Sequence, residues 1–466
     1  MGSKEPSTPS YASLVRIALR AAVSRQGRRP GDNVIAVLDQ GLYSATSFIT
    51  IMVIARHAPS TELGTFSIGL SIFWMTIGLM MSFVSTPLVL TVQGVSDEAY
   101  RSQVARGLGA SLAIALLASI ALLISAALTG LARPHASLSA LLLVAACTVT
   151  PAVLREYGRA VAFAVPGLPV LVRMDVAFSS LSLTGLAALS YAGAIDGLRS
   201  LVMVGLASMI SVAVWWLSTR AKLQWAYVSH ALQFIRSHWR LSRWLCGTSV
   251  LYSLSVAALP LLLGLLAGPV AVGVYAAYAS MAGLLNPIMI VGNNLTAPRC
   301  ASAAVLGGGA AVRRVARSAS LALAGALGLV GLLLCLGESS AIGVAYGARF
   351  SQHRFLLGLL VASTVSEGLG LGASWGLHAM GESRLAFWSR LAAVALTLPV
   401  GVMVMLRHGA LGAAIQLLAL RALNAAIGWA ALRRMSSRGP RIPTMADNAG
   451  SIGSGTPSWV GQQGAT

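Results

Sequence analysis

The sequence predicts an all-α polytopic membrane protein with twelve transmembrane helices in two six-helix bundles around a central cavity. Three observations predict it. Hydrophobic residues make up 56% of the 466 and charged residues only 10%, whereas a soluble domain carries about a quarter charged residues. Such a chain cannot cover itself in water, so lipid is its main solvent. Apolar runs of about 20 residues, long enough to cross a bilayer at about 1.5 Å per residue, recur twelve times. A phrase near the start of the second run returns near the start of the eighth, so the chain reads as two halves of six.

The runs fall at 33–55, 63–92, 104–131, 138–158, 168–192, 197–219, 244–267, 271–297, 318–337, 355–378, 385–406 and 409–433. They are continuous, without the period-2 alternation of a barrel strand, which favours helices. The recurring phrase is "ELGTFSIGLS" from Glu62 and "AVGVYAAYAS" from Ala271. Glycine is third, an aromatic fifth and serine tenth in both, and a proline follows (Pro87, Pro298). Matching rank within each half predicts a parallel repeat about an axis along the membrane normal.

Charge sets the orientation. The net charge is +20, and lysine and arginine favour the cytoplasmic side. With both termini inside, 25 of the 33 basic residues fall on inner segments. The outer loops hold only Arg56, Arg133, Arg199, Arg349, Arg354 and Arg407. Because the surplus lies in short loops between apolar runs, it points to anionic lipid and not to nucleic acid. The expected topology is multi-pass with both termini on the cytoplasmic side.

Outside the spans, residues 1–32 read as a cytoplasmic basic leader. Within it, Tyr11 to Arg25 has Leu14 and Ile17 on one face and Arg16 and Arg20 on another, a pattern for a helix lying on the inner leaflet. "RRPGDN" then breaks the chain, with Asp32 or Asn33 capping the first span. The N-terminal bundle is 33–219, a basic cytoplasmic linker 220–243, the C-terminal bundle 244–433, and a Gly-, Ser- and Pro-containing tail 434–466. The cysteines (Cys147, Cys246, Cys300, Cys335) lie in or beside apolar runs without C-x-x-C spacing, so they read as packing thiols and predict no metal site.

Ionisable groups at membrane depth cost several kcal/mol unless they meet a partner or water, so the few present carry the functional argument. In span one, Asp39, Tyr43, Ser47 and Thr50 fall on one helical stripe flanked by Gln40 and Ser44. The stripe reads as the wall of a hydrated cavity, with Asp39 as a proton or cation site. Span ten carries Ser363, Glu367, Gly370, Ser374 and His378 on one face, within the glycine-rich "SEGLGLGASWG". Span twelve carries Arg421 with Asn424 and Gly428. Glu367 and Arg421 each lie twelve residues into spans of the same direction, so they are expected to pair or to share one aqueous cavity. Static pairing is one reading. In the other, an anionic substrate takes Arg421 and frees Glu367 to bind a proton.

At the cytoplasmic mouth, "LREYGRA" and "LVRMD" cluster Arg155, Arg159 and Arg173 with Glu156 and Asp175. Guanidinium forks suit phosphate oxygens, so these arginines are candidates to meet an arriving diphosphate headgroup. Arg390 is expected to reach the same face. Trp74, Trp215, Trp216, Trp375 and Trp388 read as lipid- or core-facing, with no aromatic platform. No nucleotide-binding or hydrolase motif stands in a soluble setting.

The stretch "LDQGLYSATSFITIMVIARHAPSTELGTFSIGLS" (38–71), together with "LREYGRAVAFA" and "AVGVYAAYASMAGLLNPI", resembles the bacterial polysaccharide repeat-unit (O-antigen/exopolysaccharide) flippases. These belong to the multidrug/oligosaccharidyl-lipid/polysaccharide exporter superfamily. The likeness covers most of 33–433. It implies, in the cytoplasmic (inner) membrane of a bacterium, two six-helix bundles around a cationic cavity that carry polyprenyl-diphosphate-linked sugars outward by alternating access, some coupled to ions. Asp39, Arg155, Arg159, Glu367 and Arg421 are this chain's candidates for that cavity. The expected function is therefore a flippase for lipid-linked repeat units and not an enzyme. It would need no cofactor beyond a coupling H+ or Na+ at Asp39 or Glu367. Its expected partners are membrane lipids, a polysaccharide polymerase and export machinery, with no nucleic acid. The alternatives are an ion-coupled multidrug or cation antiporter of the same superfamily, a membrane-embedded glycan-processing enzyme, and a non-transporting scaffold.

Overall fold

The computed structural model describes residues 30–91, 97–132, 137–164, 168–219, 231–353 and 355–436. Most of the basic leader (1–29), the first part of the linker (220–230) and the tail from 437 lie outside the described residues. Among those described there is no strand. Every long element is an apolar helix, as expected where hydrocarbon offers backbone groups no other partner.

The first half is α1 (Pro30–His57), α2 (Ser60–Met80, continuing through a π turn at Met81–Ser85 into Thr86–Thr91), α3 (Asp97–Ala132), α4 (Ser137–Ala164), α5 (Leu168–Tyr191) and α6 (Gly197–Thr219). Helix α1 begins at Pro30, so the backbone is already helical at Asp32 and Asn33 and neither caps it. Proline suits a first helical position because its missing N–H would be unpaired there anyway. The π turn in α2 precedes Pro87, whose ring excludes a normal i→i−4 bond and forces the preceding turn to widen.

The second half is written in longer helices. Ala231–Ala282 and Asn286–Leu336, joined by the turn Gly283–Leu285, lie in one 91-residue apolar stretch from Cys246 to Leu336. Ser383–Ser436 is another 54 residues. Neither can be one crossing of a membrane that takes about 20 residues. Each is cut by a glycine at positive φ: Gly268 (81°), Gly308 (65°) and Gly409 (53°).

Contacts across these glycines prove reversal. A Cβ on Gly264 would meet Val272, one on Gly292 would meet Leu323, and one on Gly401 would meet Gln416. Each pair straddles its glycine almost symmetrically, as only a tight antiparallel hairpin allows. The left-handed conformation excludes Cβ at little cost only in glycine. The second half is thus α7 (231–267), α8 (269–307, including the short turn), α9 (309–336), α10 (Leu356–Ala379), α11 (383–408) and α12 (410–436). Among the described residues, the nine apolar helices long enough to cross a membrane become twelve segments at these reversals. Helix α7 begins inside the stretch read as linker, because the basic residues after Ala231 continue the helix toward the membrane.

Helix α2 is the most enclosed of the spans, with 61% of its most apolar window buried, and α3 the least, with 11%. Leu117, Ile120, Ile124 and Leu128 accordingly line the outside of α3 as a lipid-facing belt. Buried Tyr157 ties α4 to α3 through its hydroxyl and the Val104 carbonyl (2.6 Å) and sets its ring edge-on to Trp215 of α6. In α10 the glycine run gives close approach on two sides. Gly368 and Gly372 pack on α9, and Gly370 packs on Ala425 of α12.

The halves meet where the phrase repeats. Gly64 and Gly273 hold the same place in it, 209 residues apart. A Cβ on Gly64 would overlap the Pro269 carbonyl, and one on Gly273 the Ser60 carbonyl. The contact is reciprocal, as a two-fold relation between the halves requires, and lies at the end that the charge distribution places outside.

Candidate functional site

Between the halves lies a cavity of about 570 Å³, within the range of about 300–1,000 Å³ typical of small-molecule sites. The 209-residue offset organises its walls. Tyr43 and Tyr252, Leu70 and Ala279, and Ile77 and Asn286 all line it in equivalent places. The symmetry is one of position, not of charge.

On the first wall, α1, α4 and α5 bring together Asp39, Arg155, Arg159, Glu156 and Asp175. Arg155 donates to Glu156 (2.9 Å) and to Asp175 (2.6 Å). Arg159 donates to the other oxygens of Asp175 (2.9 Å) and Glu156 (3.1 Å) and stands 3.6 Å from Asp39. The Arg155 guanidinium lies 3.7 Å from the centre of the Phe178 ring, and that of Arg159 4.4 Å from the Tyr43 ring. Three carboxylates thus surround two guanidiniums, leaving one carboxylate in excess. These two arginines were expected to wait for an arriving diphosphate. Both are instead already held by carboxylates, because Asp39 and Asp175 turn inward to meet them. Arg173 points away, exposed, with its Nε on the Pro169 carbonyl. Of the α1 stripe, Tyr43, Ser47 and Thr50 line the cavity with Gln40 and Ser44. Asp39 is buried behind them, in the ion cluster.

On the second wall, Arg421 of α12 meets Glu367 of α10 at 2.8 Å, and both face the cavity. Arg421 also donates to the Ser363 hydroxyl (3.1 Å). Equal depth along two parallel spans, read from the sequence, is what lets these groups meet. Tyr252 of α7 lines the same wall, and the Arg390 guanidinium stands 4.7 Å above its ring. Arg390 was expected to reach the cytoplasmic face; it turns to the tyrosine because an aromatic face offers a buried cation a partner. Arg390 stands outside the cavity lining; the charged groups that reach the cavity surface are Arg155 and Glu156 on the first wall and Arg421 and Glu367 on the second. The Nε atoms of both Arg155 and Arg421 are buried without a partner. Asn424 is half-buried and outside the cavity lining.

Trp74 corrects the reading of the tryptophans. It is 43% exposed and lines the cavity. Tyr252 escaped the sequence reading altogether. The signal for Tyr252 was available: adding the repeat offset to Tyr43 lands on it.

The outer end is closed by a second feature. Arg56, at the end of α1, donates to the carbonyls of Val344 and Ala345, in the last turn of the short outer helix Glu338–Tyr346. Arg349 reciprocates from the second half, donating to the carbonyls of Ala55 and Ala58 at the end of α1. The last carbonyls of a helix lack internal partners and carry partial negative charge, so each arginine fits where it lies. Tyr346 joins the Ser280 hydroxyl (2.6 Å) beneath this clasp.

No family model matches the chain, and no curated protein matches it. Solved structures do. The chain is similar to a multidrug resistance MATE family transporter of the MOP superfamily in an inward-facing conformation, with TM-score 0.63 and 13% identity over 91% of this chain and 98% of that one. An outward-facing conformation of such a transporter gives TM-score 0.57 and 14% identity over 93% and 99%. A MOP superfamily transporter from Pyrococcus furiosus, described as having a binding pocket of reversed polarity, gives TM-score 0.55 and 12% identity over 93% and 99%. At these identities the likeness shows the fold: a multi-pass, all-helical membrane protein built as these transporters are.

Proposed function

We propose that the protein is a membrane carrier that moves a polyprenyl-diphosphate-linked oligosaccharide from the inner to the outer leaflet by alternating access. Its place would be the bacterial cytoplasmic membrane, with both termini inside, supplying surface polysaccharide synthesis beside a polymerase and export machinery. The observation that carries the reading is the Glu367–Arg421 pair on the cavity wall. Arg421 reaches the cavity with a single carboxylate partner, Glu367, whereas Arg155 on the first wall is held by two. A diphosphate arriving there would accept from Arg421 and release Glu367 to take a proton. The carboxylate-rich first wall, with Asp39 behind it, is the second place for a coupling H+ or Na+.

A second reading, an ion-coupled antiporter for organic cations, is favoured by one observation: Glu156 and Glu367 both line the cavity beside aromatic rings. The MATE transporters of the same fold are described as multidrug transporters. Deleting the gene separates the two. The carrier reading expects lipid-linked repeat units to accumulate on the inner leaflet and surface polysaccharide to be lost, with ethidium tolerance unchanged. Normal polysaccharide with raised ethidium sensitivity would replace it by the antiporter.

A further inference from the structure

We propose that Trp74 is the surface on which a sugar ring of the cargo stacks, with Gln40, Ser44 and Ser47 as its hydrogen-bonding partners; this rests on the saccharide-carrier reading above. The indole is a large apolar ring exposed on a largely enclosed helix, and it opens onto the cavity. Tyr43 meets it edge-on at 6.5 Å with the planes 87° apart, which fixes the tilt of the exposed face. Gln40, Ser44 and Ser47 follow at helical spacing on α1 and line the same cavity. Every hydroxyl of α2 that is buried finds an internal acceptor, but none of these three α1 side chains makes an internal hydrogen bond, so their donors and acceptors stay free for a ligand.

That combination fits one chemistry. A pyranose has a face of C–H groups, which suits the negative π face of an indole. Its rim of hydroxyls needs both donors and acceptors, as an amide and two serines supply. A prenyl tail would cover these polar groups without pairing them, and a phosphate would favour the opposite wall, where Arg421 has one carboxylate partner against two for Arg155. The repeat also makes the site one-sided. At the position equivalent to Trp74 stands Gly283, which lines the cavity with no ring at all, and Ser253, the equivalent of Ser44, is packed against Gly78. The cargo would therefore lie across the cavity, sugar on the first wall and charge on the second.

The test uses the full chain in lipid nanodiscs and four probes: farnesyl diphosphate, and the same lipid carrying glucose, galactose or N-acetylglucosamine. Ethidium is a fifth. The wild type is expected to bind at least one glycosylated probe more tightly than bare farnesyl diphosphate. W74L and Q40A should each reduce that preference by about tenfold and leave farnesyl diphosphate binding intact, and W74F should keep it within about threefold. Retention of the full preference in both W74L and Q40A overturns the stacking site and leaves the carrier reading standing. A wild type that prefers no sugar overturns the carrier reading and the site with it. Loss in W74L confined to ethidium also overturns the site, making the ring a cation contact. Should W74L lose farnesyl diphosphate as well, Q40A, which removes only an amide, decides.

Discussion

The reciprocal arginine clasp makes a quantitative prediction. Arg56 and Arg349 between them give four hydrogen bonds to helix-terminal carbonyls across the two halves. Both side chains are exposed, so each bond contributes about 0.5–1 kcal/mol and not the larger sum of a buried charged pair. Four such bonds total about 2–4 kcal/mol, roughly 30- to 900-fold in the ratio of outside-closed to outside-open molecules. R56Q/R349Q removes both charges at similar length, and water can satisfy the freed carbonyls, so the fold should survive. Spin labels at residues 57 and 348, one in each half, report the gap in detergent or nanodiscs by double electron–electron resonance. The wild type should give one short distance. The double variant should populate a longer one substantially, with each single variant between. Identical distributions in all four proteins would refute the claim that these arginines hold the outer side shut.

Other consequences follow from the same contacts. Removing one partner of the Glu367–Arg421 pair strands a buried charge, so E367Q or R421Q alone should lower stability by about 3 kcal/mol; E367Q/R421Q should recover much of it, read by thermal unfolding, without recovering transport. D39N leaves two carboxylates with two guanidiniums on the first wall, so it should fold normally but lose the dependence of transport on a proton or sodium gradient in proteoliposomes. G64V places a side chain where the Pro269 carbonyl lies, so the outer contact cannot form. Thiol reagents applied from outside should then reach a cysteine placed at Ser280, which they do not reach in the wild type. Burial raises the pKa of Glu338 above 4.5, and its Oε1 has no partner. Its raised folded-state pKa means that it costs stability once pH rises past that value. E338Q should therefore raise the unfolding midpoint at pH 8 and leave it unchanged at pH 4.

Much of this architecture was legible in the sequence because lipid allows few solutions. Continuous apolar runs, a charge bias and a repeated phrase suffice to place helices and halves. Glu367 and Arg421 were findable because depth along parallel spans is simple arithmetic. Direction around a helix is not, when charges are close together. Arg155 and Arg159 were read as a cationic mouth with Glu156 and Asp175 nearby, but that Asp39, on another helix, turns toward Arg159 could not be seen. Tyr252 was missed for the same reason. Trp74 was missed because an aromatic residue in an apolar run looks alike whether it faces lipid, core or a wet cavity. A signal was also present in the exceptions: Arg56 and Arg349 sit on the side where the charge rule disfavours them, and both are engaged in the clasp.

The three single-glycine hairpins have a mechanical consequence. Three of the reversals in the second half are one residue long, at Gly268, Gly308 and Gly409. A joint that short has no slack, so α7, α8 and α9 are tied in series, and α11 is tied to α12.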